Sequence, residues 1–189
     1  MAFRAVLDAN VLYPFSLRDT LLRLAELELY DPLWSAQILD EATRNLVEDG
    51  RIEVWQAERL VEAMRRTFEA AEVPQAQVLA LESAMLNDEK DRHVLAAAVA
   101  GGAEAVVTAN LLDFPPEACD PLGVEAVHPD DFLLGLYALV PHLVANAVSE
   151  QAADLQAPPK TLDELLDMLA ETVPEFAAAV RERAQLEER

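Results

Sequence analysis

The sequence predicts an α/β protein: a three-layer sandwich with a central parallel sheet, followed by a helical C-terminal extension. Three observations carry this. Short apolar runs alternate with longer stretches of helical period. The first such run, residues 3–7, ends at Asp8 and suits a strand buried on both faces. After Asp130 the pattern turns helical. We place residues 1–140 in the α/β domain and 141–189 in the extension.

Taken in order, residues 3–7 are too short for a helix and suit a buried strand. Residues 16–30 repeat leucine with charges between, the mark of an amphipathic helix. Leu33-Trp34 suggests a short second strand, and Ser35 is placed to cap a helix reaching about Val47, which Asp49-Gly50 ends. Residues 53–72 predict a helix stopped near Pro74, and residues 75–86 a shorter one. Residues 88–100 form a helix that Asn87 or Asp88 caps and Gly101-Gly102 closes. Residues 105–108 and 124–127 are the remaining strands. Further on, Pro158-Pro159 breaks the helical run, and Thr161/Glu164 and Thr172/Glu175 have the spacing of capping boxes for two short helices.

Composition removes several classes of function. A single cysteine, Cys119, rules out an internal disulfide framework and a cysteine-based zinc site. Met1 leads straight into the first strand without a charged and apolar leader, so no secretory signal is expected. The nearly uncharged stretch 132–148 holds Pro141, His142 and Asn146 and is too short to span a bilayer. A cytoplasmic protein with no membrane partner is the expectation. The net charge is −21, with −15 in residues 1–135 and −6 in residues 136–189. So acidic a chain is unsuited to tight, non-specific binding of nucleic acid. Acids gathered around divalent cations would reconcile that charge with phosphate chemistry.

Candidate chemistry sits where open parallel sheets place it, beyond the carboxyl ends of strands. Asp8 follows the first strand, and Asp113 follows the 105–108 strand by a few residues. Asp91 lies in the first turn of the helix leading into that strand, and Glu41 lies mid-helix on a stripe with Asn45 and Glu48. Several carboxylates brought together need a counter-charge. A hard divalent cation with oxygen ligands supplies one. Each acid also has a structural role open to it. Asp8, Asp113, Asn10 and Asn110 suit turns, Asp88 suits a helix cap, Asp91 suits a helix N-terminus, and Glu41 suits a solvated face. His93 falls away from Asp91 by helical period and reads as a partly buried structural histidine. Arg18, Arg44 and Arg92 are candidates either for phosphate contacts or for surface ion pairs. No Ser-His-Asp set, P-loop or dinucleotide fingerprint is present. A dehalogenase-type phosphatase needs a second aspartate where Asn10 stands, and a receiver domain needs a late lysine that is missing.

Four segments resemble the motifs of PIN domains in order and spacing over about residues 3–135. Val6-Leu7-Asp8-Ala9-Asn10 is similar to the opening motif. Residues 38–46 resemble the helix that carries the family's glutamate, here Glu41. Residues 90–98 resemble the third acidic motif, with Asp91, and residues 107–114 the last, with Asp113. The resemblance implies a Mg²⁺- or Mn²⁺-dependent ribonuclease that cleaves RNA with metal-activated water. Its implied catalytic and metal-binding set is Asp8, Glu41, Asp91 and Asp113, with Asn10, Asp88, Thr108 and Asn110 as auxiliaries. It points to the VapC-type toxins of bacterial toxin–antitoxin pairs, which implies a small cognate antitoxin as partner and dimer-based assemblies. Two features depart from the pattern. Asn110 stands where many relatives place an acid, so the fourth position is Asp113, Asn110 or both. The helical tail is also longer than in compact members.

Overall fold

The computed structural model describes residues 3–187. In chain order its elements are β1 (Arg4–Leu7), α1 (Ala9–Leu12), α2 (Phe15–Glu26), β2 (Asp31–Ser35), α3 (Ala36–Glu48), α4 (Val54–Thr67), β3 (Glu72–Val73) and α5 (Gln75–Glu82). They continue as α6 (Arg92–Gly101), β4 (Ala105–Val107), α7 (Pro116–Cys119), β5 (Glu125–Val127), α8 (Pro129–Leu139), α9 (Pro141–Asp154), α10 (Leu162–Ala170) and α11 (Pro174–Glu187). They form two compact units. One comprises Met1–Tyr13 and Tyr30–Val127, the other Pro14–Leu29 and His128–Arg189.

The first unit is built on a five-stranded parallel sheet of order β3-β2-β1-β4-β5. Val6 of β1 pairs with Leu33 of β2 on one side and Val106 of β4 on the other. Ala5, Val6 and Leu7, like Ala105, Val106 and Val107, are fully buried, which is why these strands read as unbroken apolar runs. From β1 the chain steps outward to β2 and β3, then crosses back to β4 and continues to β5 on the other side. Right-handed crossovers then put α3 and α4 on one face and α5 and α6 on the other, giving the expected three layers. The order reverses between β1 and β4. The crevice of the fold therefore opens beyond their carboxyl ends.

Two sequence expectations are corrected in this unit. The helix expected over 53–72 ends at Thr67, and residues 72–73 form β3 instead. A two-residue strand is too short to show a period. It exists because Trp34 N–H donates to the Ala71 carbonyl at 3.0 Å while the Trp34 ring packs edge-on against Phe68. The helix expected from residue 88 begins at Arg92, after a 3₁₀ turn over Glu89–Asp91 that the Asp88 side chain caps. Its far end is as expected. Gly102 closes it at φ +63°, a conformation that suits a residue without Cβ.

The second unit is helical. Thr20 Oγ1 donates to Gln151 Oε1 at 2.7 Å, and Gln151 Nε2 donates to the Ser16 carbonyl at 3.0 Å, so α2 and α9 share a buried polar link. The nearly uncharged stretch 132–148 lies on two helices, α8 and α9, separated at Val140 before Pro141. No described helix is long and apolar enough to cross a membrane.

The capping box expected at Thr161/Glu164 is present, but the one at Thr172/Glu175 is not. Thr172 Oγ1 instead donates to the Leu169 carbonyl. The start of α11 is held by the buried carboxylate of Asp130, which accepts the N–H groups of Glu175 at 3.0 Å and Phe176 at 2.8 Å. A distant acid thus does the work that local sequence assigned to a threonine. We expect Asp130→Ala to lower stability by about 2 kcal/mol in urea titration, because a charge-assisted cap and two buried donors lose their partner. A loss below about 0.5 kcal/mol, the range of ordinary surface substitutions, would show that the carboxylate is not the cap.

Candidate active site

All eight acids and polar residues singled out from the sequence lie in the first unit, on segments that end at or follow the β1/β4 crevice. Asp8 comes directly after β1. Its N–H donates to the Val107 carbonyl at 3.1 Å, which extends the pairing with β4 by one residue. Its side chain caps α1 by accepting the Ala9 N–H at 2.6 Å. The second carboxylate oxygen accepts from Asn10 Nδ2 at 2.6 Å and Thr108 Oγ1 at 2.7 Å. Asn10 also reaches across to accept the Ala109 N–H at 3.0 Å. Thr108 Oγ1 accepts the Asn110 N–H at 3.1 Å. Asn10 and Thr108 thus fix the rotamer of Asp8 and tie the two strand ends together.

Asp8 is only 3% exposed. Burial pushes its carboxyl above the usual carboxylate range. The donors Thr108 and Ala9 oppose this, and the charge of Glu41 adds to it.

Glu41 stands on the half-exposed side of α3, whose opposite face buries Ile38, Leu39, Ala42 and Leu46. Ser35 starts that helix as expected, accepting the Ile38 N–H at 3.2 Å. Glu41 Oε2 lies 3.4 Å from His93 Nε2. This contact holds the Glu41 carboxyl below its ordinary range, against the opposing effect of burial. His93 is 1% exposed, and its Nδ1 has no partner among the described residues. It is more buried than the sequence suggested, and its Glu41 partner was not legible there. Helical period separates Asp91 from His93 only where both share one α-helix. Asp91 instead belongs to the 3₁₀ turn and is the cap of α6, so the 100° phase between successive residues does not apply.

Asp88, Asp91 and Asp113 form the most open part of the site. One ligand atom from each lies within 4.8 Å of the others. The Asp88 N–H donates to the Asp113 carbonyl at 3.1 Å, which ties the two loops together. The Asn110 side-chain amide donates to Asp113 Oδ2, so Asn110 and Asp113 act as a pair. Asp91 is pushed up to about 6, first by burial and then by the charges of Asp8, Asp113 and Glu41. Four segments distant in sequence therefore bring carboxylates close enough to oppose one another's ionisation. The donors are all hard oxygens, and their mutual repulsion is what a divalent cation relieves. The residues fit a Mg²⁺ or Mn²⁺ ion that keeps several of its waters.

Of the arginines, Arg44 pairs with Asp40 at 3.2 Å, one turn away on α3. Arg18 belongs to the helical unit and stacks over Phe15. Arg92 has its Nε buried without a hydrogen-bond partner among the described residues.

The family model described as PIN domain matches residues 4–112, more than half of the chain. A second, described as VapC50 C-terminal domain, matches residues 129–182. A protein of Mycobacterium tuberculosis (strain ATCC 25618 / H37Rv) described as "Putative ribonuclease VapC50" is 46% identical over 101 residues. The match covers 53% of this chain and 60% of that protein, so the chain spans about three fifths of the curated relative's length. No solved structure matches. Since the PIN-domain model matches residues 4–112, more than half of the chain, and the chain has a five-stranded parallel sheet, the chain belongs to the PIN-domain family.

Proposed function

We propose that this chain is a metal-dependent endoribonuclease and the toxin of a bacterial type II toxin–antitoxin pair. The observation that carries the reading is the cluster of Asp88, Asp91 and Asp113, one ligand atom of each within 4.8 Å of the others, with the buried Asp8 and with Glu41 close enough to oppose the ionisation of Asp91. The name of the M. tuberculosis relative supports both the activity and the VapC type. Asp8, Glu41, Asp91 and Asp113 are the catalytic and metal-holding set, with Asp88 beside them. A bound Mg²⁺ or Mn²⁺ would supply counter-charge to the phosphate and acidify the attacking water. The reaction is hydrolysis: the water oxygen bonds to phosphorus, one ester P–O bond breaks, and the leaving oxygen takes a proton. Asn10 and Thr108 hold Asp8 in one orientation, and Asn110 does the same for Asp113. The partners are RNA, a small cognate antitoxin and a second copy of the chain, all in the bacterial cytoplasm. Every residue assigned to the site lies within residues 1–140.

The direct test is cleavage of RNA by the purified full chain with Mg²⁺ or Mn²⁺ and with chelator. Cleavage with metal and none with chelator is expected. Metal-independent cleavage, or intact RNA under both conditions, overturns the reading. The toxin assignment is tested by expression with and without the adjacent small reading frame. Growth arrest relieved by that neighbour is the expected outcome.

His93 is a positioning residue in this scheme, aiming Glu41 through Nε2. Outer partners of metal ligands typically change activity or affinity by 10–100-fold. We expect His93→Leu to lower kcat by about that much with little change in KM, and His93→Gln, which restores a donor near Nε2, to recover most of it. Equal losses in both variants would assign His93 to packing alone.

A further inference from the structure

This inference rests on the reading of the site as one that cleaves RNA. The two loops joined by the Asp88–Asp113 hydrogen bond each turn leucine to solvent. Leu86 is 80% exposed and Leu112 is 90% exposed, with Leu111 beside it at 41%. A single exposed leucine is ordinary. Here three stand within two residues of the carboxylate cluster, on two loops held together.

The charge of the chain indicates what would use them. With 35 acids against 14 bases, little counterion-release energy is available for holding a polyanion. An RNA bound here has two other sources of affinity. One is a phosphate bridged through a cation to the carboxylates. The other is contact with the faces of its bases, which is apolar and tolerant of sequence. A phosphate placed at Asp88, Asp91 and Asp113 brings its neighbouring nucleotides over the two loops. Bases stacked inside a duplex do not present their faces, whereas unstacked ones do.

We propose that Leu86, Leu111 and Leu112 form a nucleobase subsite that receives the unstacked bases flanking the scissile phosphate. The subsite sets substrate affinity, and the carboxylates perform the chemistry. Recognition through bases also makes binding weakly dependent on salt.

The test compares wild type with a Leu86→Ser/Leu112→Ser double variant in the full chain, using steady-state cleavage of a short unpaired RNA with Mn²⁺. Both side chains are exposed, so thermal stability and calorimetric Mn²⁺ uptake should be unchanged. KM should rise about fivefold, the low end of what a base gains on an aromatic side chain because leucine offers apolar contact without an aromatic face, with kcat within about twofold. For wild type, the dependence of log KM on log salt should correspond to only about one or two phosphates. An unchanged KM in the variant, or a steep salt dependence in wild type, overturns the subsite. So does a variant that loses Mn²⁺ uptake, because the KM change then belongs to the cation. A variant that turns from dimer to monomer in sedimentation while keeping its KM assigns the leucines to a second copy. These outcomes leave the ribonuclease reading standing. A wild-type chain that cleaves no RNA overturns both.

Discussion

Asp8→Asn is expected to reduce RNA cleavage by about a thousandfold or more while the protein stays folded. The size of the loss follows from the removal of one fixed charge in a site where charge is the catalyst. Survival of the fold follows from the surroundings of Asp8. Its carboxylate is buried, and its charge is disfavoured there, so loss of the charge itself relieves a strain. The cost is that one acceptor oxygen becomes an amide nitrogen facing Asn10 and Thr108. The Thr108 hydroxyl can rotate to accept, while turning the Asn10 amide over costs the one hydrogen bond it accepts from the Ala109 N–H. We therefore expect melting within a few degrees of wild type, together with a gel assay showing intact RNA. Wild-type cleavage by a folded Asp8→Asn protein would sink the assignment of Asp8.

Asp91→Asn is the second large effect, and it has opposite signs in two measurements. Mn²⁺ binding should weaken by at least tenfold, since even residues behind the ligands typically cost 10–100-fold. Without metal, the same substitution should stabilise the protein at neutral pH. In the fold the Asp91 carboxyl is raised from 3.8 to about 6, so folding favours its protonated form. That favourable contribution is complete below 3.8 and is lost as pH rises through about 6. Metal-free wild type should therefore lose stability across that window, with the raised Asp8 acting in the same sense. The full shift corresponds to about 3 kcal/mol, and solvent access to this half-open carboxylate reduces it to roughly 1 kcal/mol. Urea titrations in chelator at several pH values measure it directly. An identical pH slope in Asp91→Asn, or a less stable variant at neutral pH, contradicts the argument. Added Mn²⁺ should restore stability to wild type and do little for the variant.

Both effects depend on carboxylates that the sequence identified one at a time and could not place. Asp8 was legible because an acid directly after a short apolar run marks a strand end. Asp91 and Asp113 were legible because they flank the next strong strand, and Glu41 through the family motif of its helix. Asp88 could not be separated from an ordinary cap, and it is a cap: its side chain accepts the Lys90 N–H at 3.0 Å. Its carboxylate also belongs to the cluster, a second role that no local pattern encodes. Asn110 and Asp113, open alternatives in the sequence, form one hydrogen-bonded pair in the fold.

What the sequence determined by itself is what short range controls. Apolar runs set β1 and β4, Ser35 and Thr161 set helix starts, Gly102 set a helix end, and the order of the motifs set the sheet's class and the family. Tertiary structure decided everything that joins distant segments. It made residues 72–73 a strand, because Ala71 and Trp34 meet. It capped α11 with Asp130, 45 residues from Glu175. It turned His93 toward Glu41 through a 3₁₀ turn that breaks the helical phase. It also gave Asp91 its raised carboxyl, because electrostatic repulsion depends on distance in space, and only the reversal of strand order between β1 and β4 brings those charges to one crevice.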